Sequence, residues 1–207
     1  MTDVLAIDTS AGTSVARIDG EHITRASDAN PRAHAENLAP LITKVGGAAG
    51  VDLIVVGTGP APFTGLRVGI ATARVLADAL GVELAGVSVL DALARQALDT
   101  STADQVTVVT DARRREVYTA SFTADGADDV EVIRPAQVLS PADLDVVGEL
   151  VGATHLVPEA PGRSLELDVA VLARIALQRR AAGVGMPTTA LYLREPDIHN
   201  APRPDRV

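Results

Sequence analysis

Asp8, Thr9 and Ser10 close a short apolar run near the start of the chain, and Asp111 closes a second one in its later half. A carboxylate at a strand end could hold a hydrated Mg2+, while hydroxyls and backbone N–H groups of the following turn could receive a phosphate. Asp111 would supply the matching acid from a second lobe. The same residue types also build plain turns, because Asp, Ser and Thr side chains bond to their own backbone, and spacing alone favours that reading. His34 opens an amphipathic stretch, but Asn37 and Leu38 stand where a helical metal site needs a second ligand, so no metal is expected there. His22, His155 and His199 share no ligand spacing and are expected at the surface or in packing. A triad with Ser10 or Ser88 lacks the G-x-S-x-G elbow.

Other sites are excluded by what is missing. Lys44 is the only lysine and has no Gly-rich lead-in, which rules out a Walker A loop. Gly57 and Gly59 are followed by Pro62 where a dinucleotide fingerprint needs a third glycine. The chain has no cysteine, so disulfides, thiolate metal sites and cysteine nucleophiles are impossible. The string from Gly57 to Gly69 is the most specific in the chain. It reads either as a strand end feeding an anion-binding helix N-terminus or as a sharp structural turn. Arg113, Arg114 and Arg115 form a basic run that is either a solvated face or a contact for phosphate or an acidic partner.

The elements that must position these residues alternate. Strands are expected at residues 3–8, 13–18 and 22–25, then a helix at 34–45 interrupted by Pro40, with Leu38, Leu41, Ile42 and Val45 on one face. A buried strand at 52–56 leads to a helix at 64–80, capped by Thr64 and stopped at Gly81; a strand at 83–89 and a helix at 90–98 follow. The second helix carries Gly65, Gly69, Ala73 and Ala77 in one stripe, where another helix could approach closely. Residues 98–105 read as a linker, which divides the chain into lobes at 1–103 and 104–207. Beyond it the pattern of apolar run, Asp111, turn and returning strand echoes the opening, although one such echo is weak ground for a duplication. A strand at 129–134, a helix at 142–150, a strand at 153–158 and a helix at 168–181 complete the pattern, and residues 200–207 are expected to be loose.

Composition narrows the function classes. The chain of 207 residues has 18 basic and 27 acidic side chains, a net charge of −9, which disfavours a bare nucleic-acid clamp. Phe63, Phe122, Tyr118 and Tyr192 are its only aromatics, too few for a base-stacking platform. No apolar run approaches the ~18 residues of a membrane span, and the acidic start is unlike a secretion signal, so a cytoplasmic protein is expected. Alternating strands and helices with an initial meander imply an α/β fold with mixed sheets.

LAIDTS near the start, HAENLAPLI from His34, GTGPAPFTGLRVG from Gly57, DARRREVY from Asp111 and LYLREPD from Leu191 occur in order over nearly the whole chain. Together they resemble the TsaB (YeaZ) family of tRNA threonylcarbamoyladenosine biosynthesis proteins, paralogues of the TsaD glycoprotease family. The resemblance implies a two-lobed fold of the actin, Hsp70 and sugar-kinase type. It also implies a noncatalytic subunit for modification of the adenosine beside the anticodon, paired with a TsaD-like transferase and joined by a TsaE-like ATPase. Such a subunit meets tRNA only indirectly and holds no cofactor of its own, with ATP or ADP and Mg2+ acting at the complex. The transferase paralogue uses an H-x-x-x-H metal site, whereas this chain has Leu38 at the second position. The family docks through helices of its first lobe. By motif position the interface would comprise His34, Leu38, Leu41, Ile42, Val45, Arg67, Gly69, Ile70, Ala73, Arg74 and Ala77, a surface that could also pair two copies when the partner is absent. Asp8, Thr9, Ser10 and Asp111 would then be a nucleotide-site remnant, and the rival reading is a nucleotide-dependent phosphotransferase or ATPase using Asp8 and Asp111.

Overall fold

A computed structural model describes residues 2–30 and 34–194. Strands β1 (Asp3–Asp8), β2 (Thr13–Asp19) and β3 (His22–Asp28) form a meander, followed by helix α1 (His34–Lys44), strand β4 (Leu53–Gly57), helix α2 (Phe63–Leu80), strand β5 (Glu83–Val87) and helix α3 (Val89–Leu98). A second meander, β6 (Gln105–Asp111), β7 (Val117–Asp125) and β8 (Asp129–Leu139), precedes β9 (Glu149–Gly152), β10 (Gly162–Ser164) and helix α4 (Ala170–Ala181).

The first sheet has the order β3-β2-β1-β4-β5, and the second the equivalent order β8-β7-β6-β9-β10. In each the meander pairs are antiparallel and the last two are parallel. The weak echo in the sequence is therefore a repeat of topology, with Asp8 and Asp111 ending equivalent central strands. This corrects the expectation that the echo was coincidental.

Along β1 the side chains alternate between two cores, as the period of a strand requires. Leu5 and Ile7 pack with Leu38, Leu41 and Ile42 of α1 and Leu66 and Ala73 of α2. Val4 and Ala6 face the opposite side, against Leu172 and Ile175 of α4. Helix α3 packs on the second sheet through Leu90, Leu93 and Ala94 against Val106, Val108 and Phe122. The helices thus cross over: the one before the linker covers the second sheet, and the one after it covers the first.

Several expected elements are corrected. Residues 142–150 are not a helix; only Pro141–Asp143 turns, as a short 3-10 helix, and Glu149–Gly152 is a strand. The apolar spacing there has another cause, since Leu144 and Val146 lie over Val109 and Leu150 on the face of the second sheet away from α3. Residues 154–156 form a 3-10 turn rather than the centre of a strand. Helix α2 starts at Phe63, with Pro62 before it and no side-chain cap, so Thr64 is inside the helix. Gly81 ends it as expected, in a left-handed conformation with φ 67°. The expected loose stretch 200–207 and His199 lie outside the described residues.

Candidate functional site

The ends of the two central strands meet across a cleft of about 470 Å³ between the sheets. Asp8, Ser10, Asp111 and Arg113 line it, together with Thr110, His155 and Glu166. Each acid closes the same local motif. One Asp8 carboxylate oxygen accepts the Ser10 backbone N–H at 3.0 Å, and the other accepts the Ser10 hydroxyl at 2.8 Å. Asp111 likewise accepts the Arg113 N–H at 2.6 Å and pairs with the Arg113 guanidinium at 2.8 Å. Gly57 makes room for the first of these, since a Cβ there would lie 2.1 Å from Asp8 Oδ2. Asp8 is only 4% exposed. Burial pushes its carboxyl above the ordinary carboxylate range, against the opposing pull of the Ser10 hydrogen bonds. These residues make turns, and the turns face one cleft. Thr110 Oγ1 on the cleft wall is buried and has no hydrogen-bond partner among the described residues, a polar position that sequence reading did not single out.

Thr9 does not join the cleft. Its hydroxyl donates to the Gly65 carbonyl at 2.8 Å and accepts the Gly69 N–H at 3.2 Å, which clamps α2 to the end of β1. His34 sits beside this clamp. Its Nδ1 is 3.0 Å from the Thr13 hydroxyl, and its Nε2 lies 2.8 Å from where a Gly65 Cβ would stand. The small-residue stripe therefore faces the protein's own first sheet. Close approach is used, as the spacing suggested, but the approaching group is a turn of β1 rather than a partner helix.

Most of the expected docking residues share this inward orientation. His34, Leu38, Leu41, Ile42, Val45, Gly69, Ile70, Ala73 and Ala77 are all buried, and Leu38 is 2% exposed. Arg67 and Arg74 remain exposed, but both engage the C-terminal stretch of the described chain. Arg67 lies over the stacked rings of Phe63 and Tyr192, whose centroids are 4.3 Å apart, and donates to the Tyr192 hydroxyl at 3.0 Å. Arg74 donates to the Thr188 hydroxyl at 3.1 Å. The same stretch is fastened to the Gly57 string by the Leu191 N–H on the Thr58 carbonyl at 2.8 Å, and to the second lobe by an Arg194–Glu116 ion pair. Tyr192 belonged to a quoted motif, yet nothing local in LYLREPD indicated that it would stack on Phe63. What α2 turns outward is a second, mixed surface on which Ala71, Val75, Ala79 and Leu80 stand beside Arg67, Arg74 and Asp78, with Val75 67% exposed.

Residues 27–166 match the family model of TsaD, tRNA N6-adenosine threonylcarbamoyltransferase. The chain belongs to this family. Within it the similarity is to TsaB (YeaZ) members. YeaZ from Pseudomonas aeruginosa superposes with a TM-score of 0.77 at 27% identity, over 92% of this chain and 100% of that one. The tRNA threonylcarbamoyladenosine biosynthesis protein TsaB of Escherichia coli (strain K12) is 33% identical over 128 residues, which are 59% of this chain and 55% of that one. An uncharacterized protein of Mycobacterium tuberculosis (strain ATCC 25618 / H37Rv) is 35% identical over 212 residues, covering 95% and 94% of the two chains. The repeated strand order is accordingly an α/β fold of two mixed sheets, shared with the YeaZ structure. No described helix of this TsaB-family chain is long and apolar enough to cross a membrane.

Proposed function

We propose that this chain is a noncatalytic partner of a TsaD-like transferase in threonylcarbamoyladenosine modification of tRNA at the adenosine beside the anticodon. The observation that carries the reading is the outward side of α2, an exposed run of small and apolar side chains around Val75 beside a cleft whose two acids are already bonded within their own turns. Exposed apolar surface on a helix favours association, and carboxylates held by their own backbone are poorly placed to recruit a reactant. The name of the Escherichia coli relative supports the pathway. In this reading lobe 1–103 docks the transferase, lobe 104–207 completes the scaffold, and a TsaE-like ATPase joins the pair in the cytoplasm. ATP or ADP with Mg2+ acts at the complex rather than in this chain, and tRNA is met only within it. Two copies pair through the same outer face when the transferase is absent. The test is reconstitution with and without this chain, counting modified adenosine: loss of modification on omission is expected, and an unchanged yield refutes the proposal.

One observation favours a second reading. Asp8 and Asp111 line one cleft large enough for a small ligand. A phosphotransferase or ATPase using them predicts saturable heat on titration with Mg-ATP that falls sharply in Asp8→Ala. Calorimetry without saturable heat removes it.

A further inference from the structure

The turn between β6 and β7 holds Arg113, Arg114 and Arg115 in the left-handed region, with φ of 62, 56 and 65°. Side chains with a Cβ resist this conformation and glycine does not, so Gly, Asn and Asp usually fill such turns. The sheet keeps the turn closed nonetheless. Asp111 pairs with Val117, the Ala112 N–H donates to the Glu116 carbonyl at 3.1 Å, and the Glu116 N–H donates to the Arg113 carbonyl at 3.0 Å. Three successive arginines thus stand where glycine would fit the backbone better, and their side chains are presented on a closed, ordered turn.

Their electrostatic setting is also unusual for this protein of net charge −9. Several other arginines lie against carboxylates, as Arg17 does with Asp3, Arg163 with Glu149 and Arg179 with Asp129. Arg115 is exposed and makes no hydrogen bond or ion pair among the described residues. The Arg113–Asp111 pair is itself exposed, and such pairs exchange readily for a stronger anion. Glu116, the turn's nearest acid after Asp111, is covered by Arg194.

We propose that the Arg113 to Arg115 turn contacts the phosphate backbone of RNA at the rim of the cleft, an inference that rests on the tRNA reading above. A protein partner is the poorer fit. Protein interfaces draw their strength from desolvated apolar or aromatic anchors, and the exposed part of this turn offers none, since Ala112 and Tyr118 are buried. Phosphate requires only planar guanidinium groups on an accessible turn. Asp28 and Glu166 on the cleft wall repel a polyanion from the interior, which leaves the rim as its path. With no exposed ring in the turn to stack on a base, the contact reads charge and shape, not sequence.

The decisive variant is Arg115→Gly in the reconstituted complex with the transferase. Glycine suits φ 65°, so the melting temperature should stay the same or rise, which separates loss of contact from loss of fold. The expected result is a KM for tRNA raised about fivefold with a smaller effect on kcat, and a log–log salt dependence of tRNA affinity that is shallower by about 0.7 to 0.9. Anisotropy titration of labelled tRNA against the same complex measures that affinity directly. Unchanged affinity and salt slope in both Arg115→Gly and Arg113→Gly/Arg115→Gly overturn the inference. So does loss of copurification with the transferase while RNA affinity is intact, which would make the turn a protein contact. Modification that persists without this chain would refute the proposed function instead, and the anisotropy titration would still decide the RNA contact.

Discussion

Two arginine substitutions on α2, two residues apart, should have opposite consequences. Ala73 is 0% exposed and packs in the core of the first lobe with Leu5, Ile7 and Leu66, whereas Val75 is 67% exposed. Ala73→Arg forces a long side chain into a filled space, at about 1–3 kcal/mol for overpacking. It also buries an unpaired guanidinium, which adds several kcal/mol. The total, at least ~4 kcal/mol, is comparable with the ~5–15 kcal/mol that holds an average domain together. Val75→Arg changes only surface and should stay within about 0.5 kcal/mol of the parent. Urea unfolding followed by circular dichroism measures the first effect, and copurification with a tagged TsaD-like transferase measures the second. The expected outcome is an Ala73→Arg chain that is unfolded or insoluble, and a Val75→Arg chain that unfolds at the parental midpoint but retains little transferase. An Ala73→Arg chain with the parental midpoint would refute the inward orientation of the small-residue stripe. Undiminished complex formation by folded Val75→Arg would remove the proposed docking face.

Three further outcomes follow from the cleft and the C-terminal stretch. Because burial raises the Asp8 pKa, the folded state holds this proton more tightly than the unfolded chain; stability therefore falls as pH climbs from the ordinary carboxylate range through the raised value. Asp8→Asn should flatten that part of the stability profile between about pH 3 and pH 8, and superimposable profiles would contradict the assignment. Gly57→Ala places a Cβ 2.1 Å from Asp8 Oδ2 and 3.3 Å from Val89 Cγ2. It should cost about 1–3 kcal/mol, and clearly less in an Asp8→Ala background. Strict additivity in the double-mutant cycle would show that the carboxylate is not what Gly57 accommodates. Tyr192→Ala removes the ring stacked on Phe63, worth roughly 0.5–1.5 kcal/mol beyond buried area, and should hasten proteolysis around residues 186–194. Unaltered midpoint and cleavage would show the stack to be incidental.

Periodicity made the first lobe largely readable because its elements are long and their apolar positions repeat: DLIVV is buried as a strand, and Leu38, Leu41 and Ile42 share a helical face. The second lobe was harder. Val146 and Leu150 are four apart, a helical spacing, yet one lies in a coil draped over the sheet and the other in β9, and periodicity records which residues are buried, not by what. Ser140 and Pro141 look like a helix start and are one, for a single turn of Pro141–Asp143. The inward packing of the small-residue stripe was hidden for a related reason. A row of small residues indicates that something approaches closely, and only the fold reveals that Thr9 and His34 are what approaches. At the site, Asp8 and Asp111 were legible as strand-end acids, but their meeting across one cleft depends on the repeated strand order, a long-range property that no local window contains.

The crossing of α3 and α4 bears on what the cleft can do. Arg179 of α4 is bonded to Asp91 of α3 at 2.9 Å and to Asp129 at the start of β8 at 2.7 Å; Arg174 reaches Asp99 at 2.5 Å and Asp128 at 2.9 Å. Burial pushes the Asp91 carboxyl upward and the Arg179 charge pulls it back, so separating the pair would leave a carboxylate in a poorly solvated place. Widening or narrowing the cleft would slide α3 along α4 and break these bonds, because each helix is seated on the lobe to which the chain around it does not belong. Enzymes that sequester a reactant use walls free to move by hinge or shear. Here the walls are tied together, and the acids facing each other are bound to their own turns. The outer side of α2 and the exposed turn at the cleft rim that carries Arg115 take no part in the bonds that tie the walls. That distribution supports the proposed function, in which this chain holds other molecules.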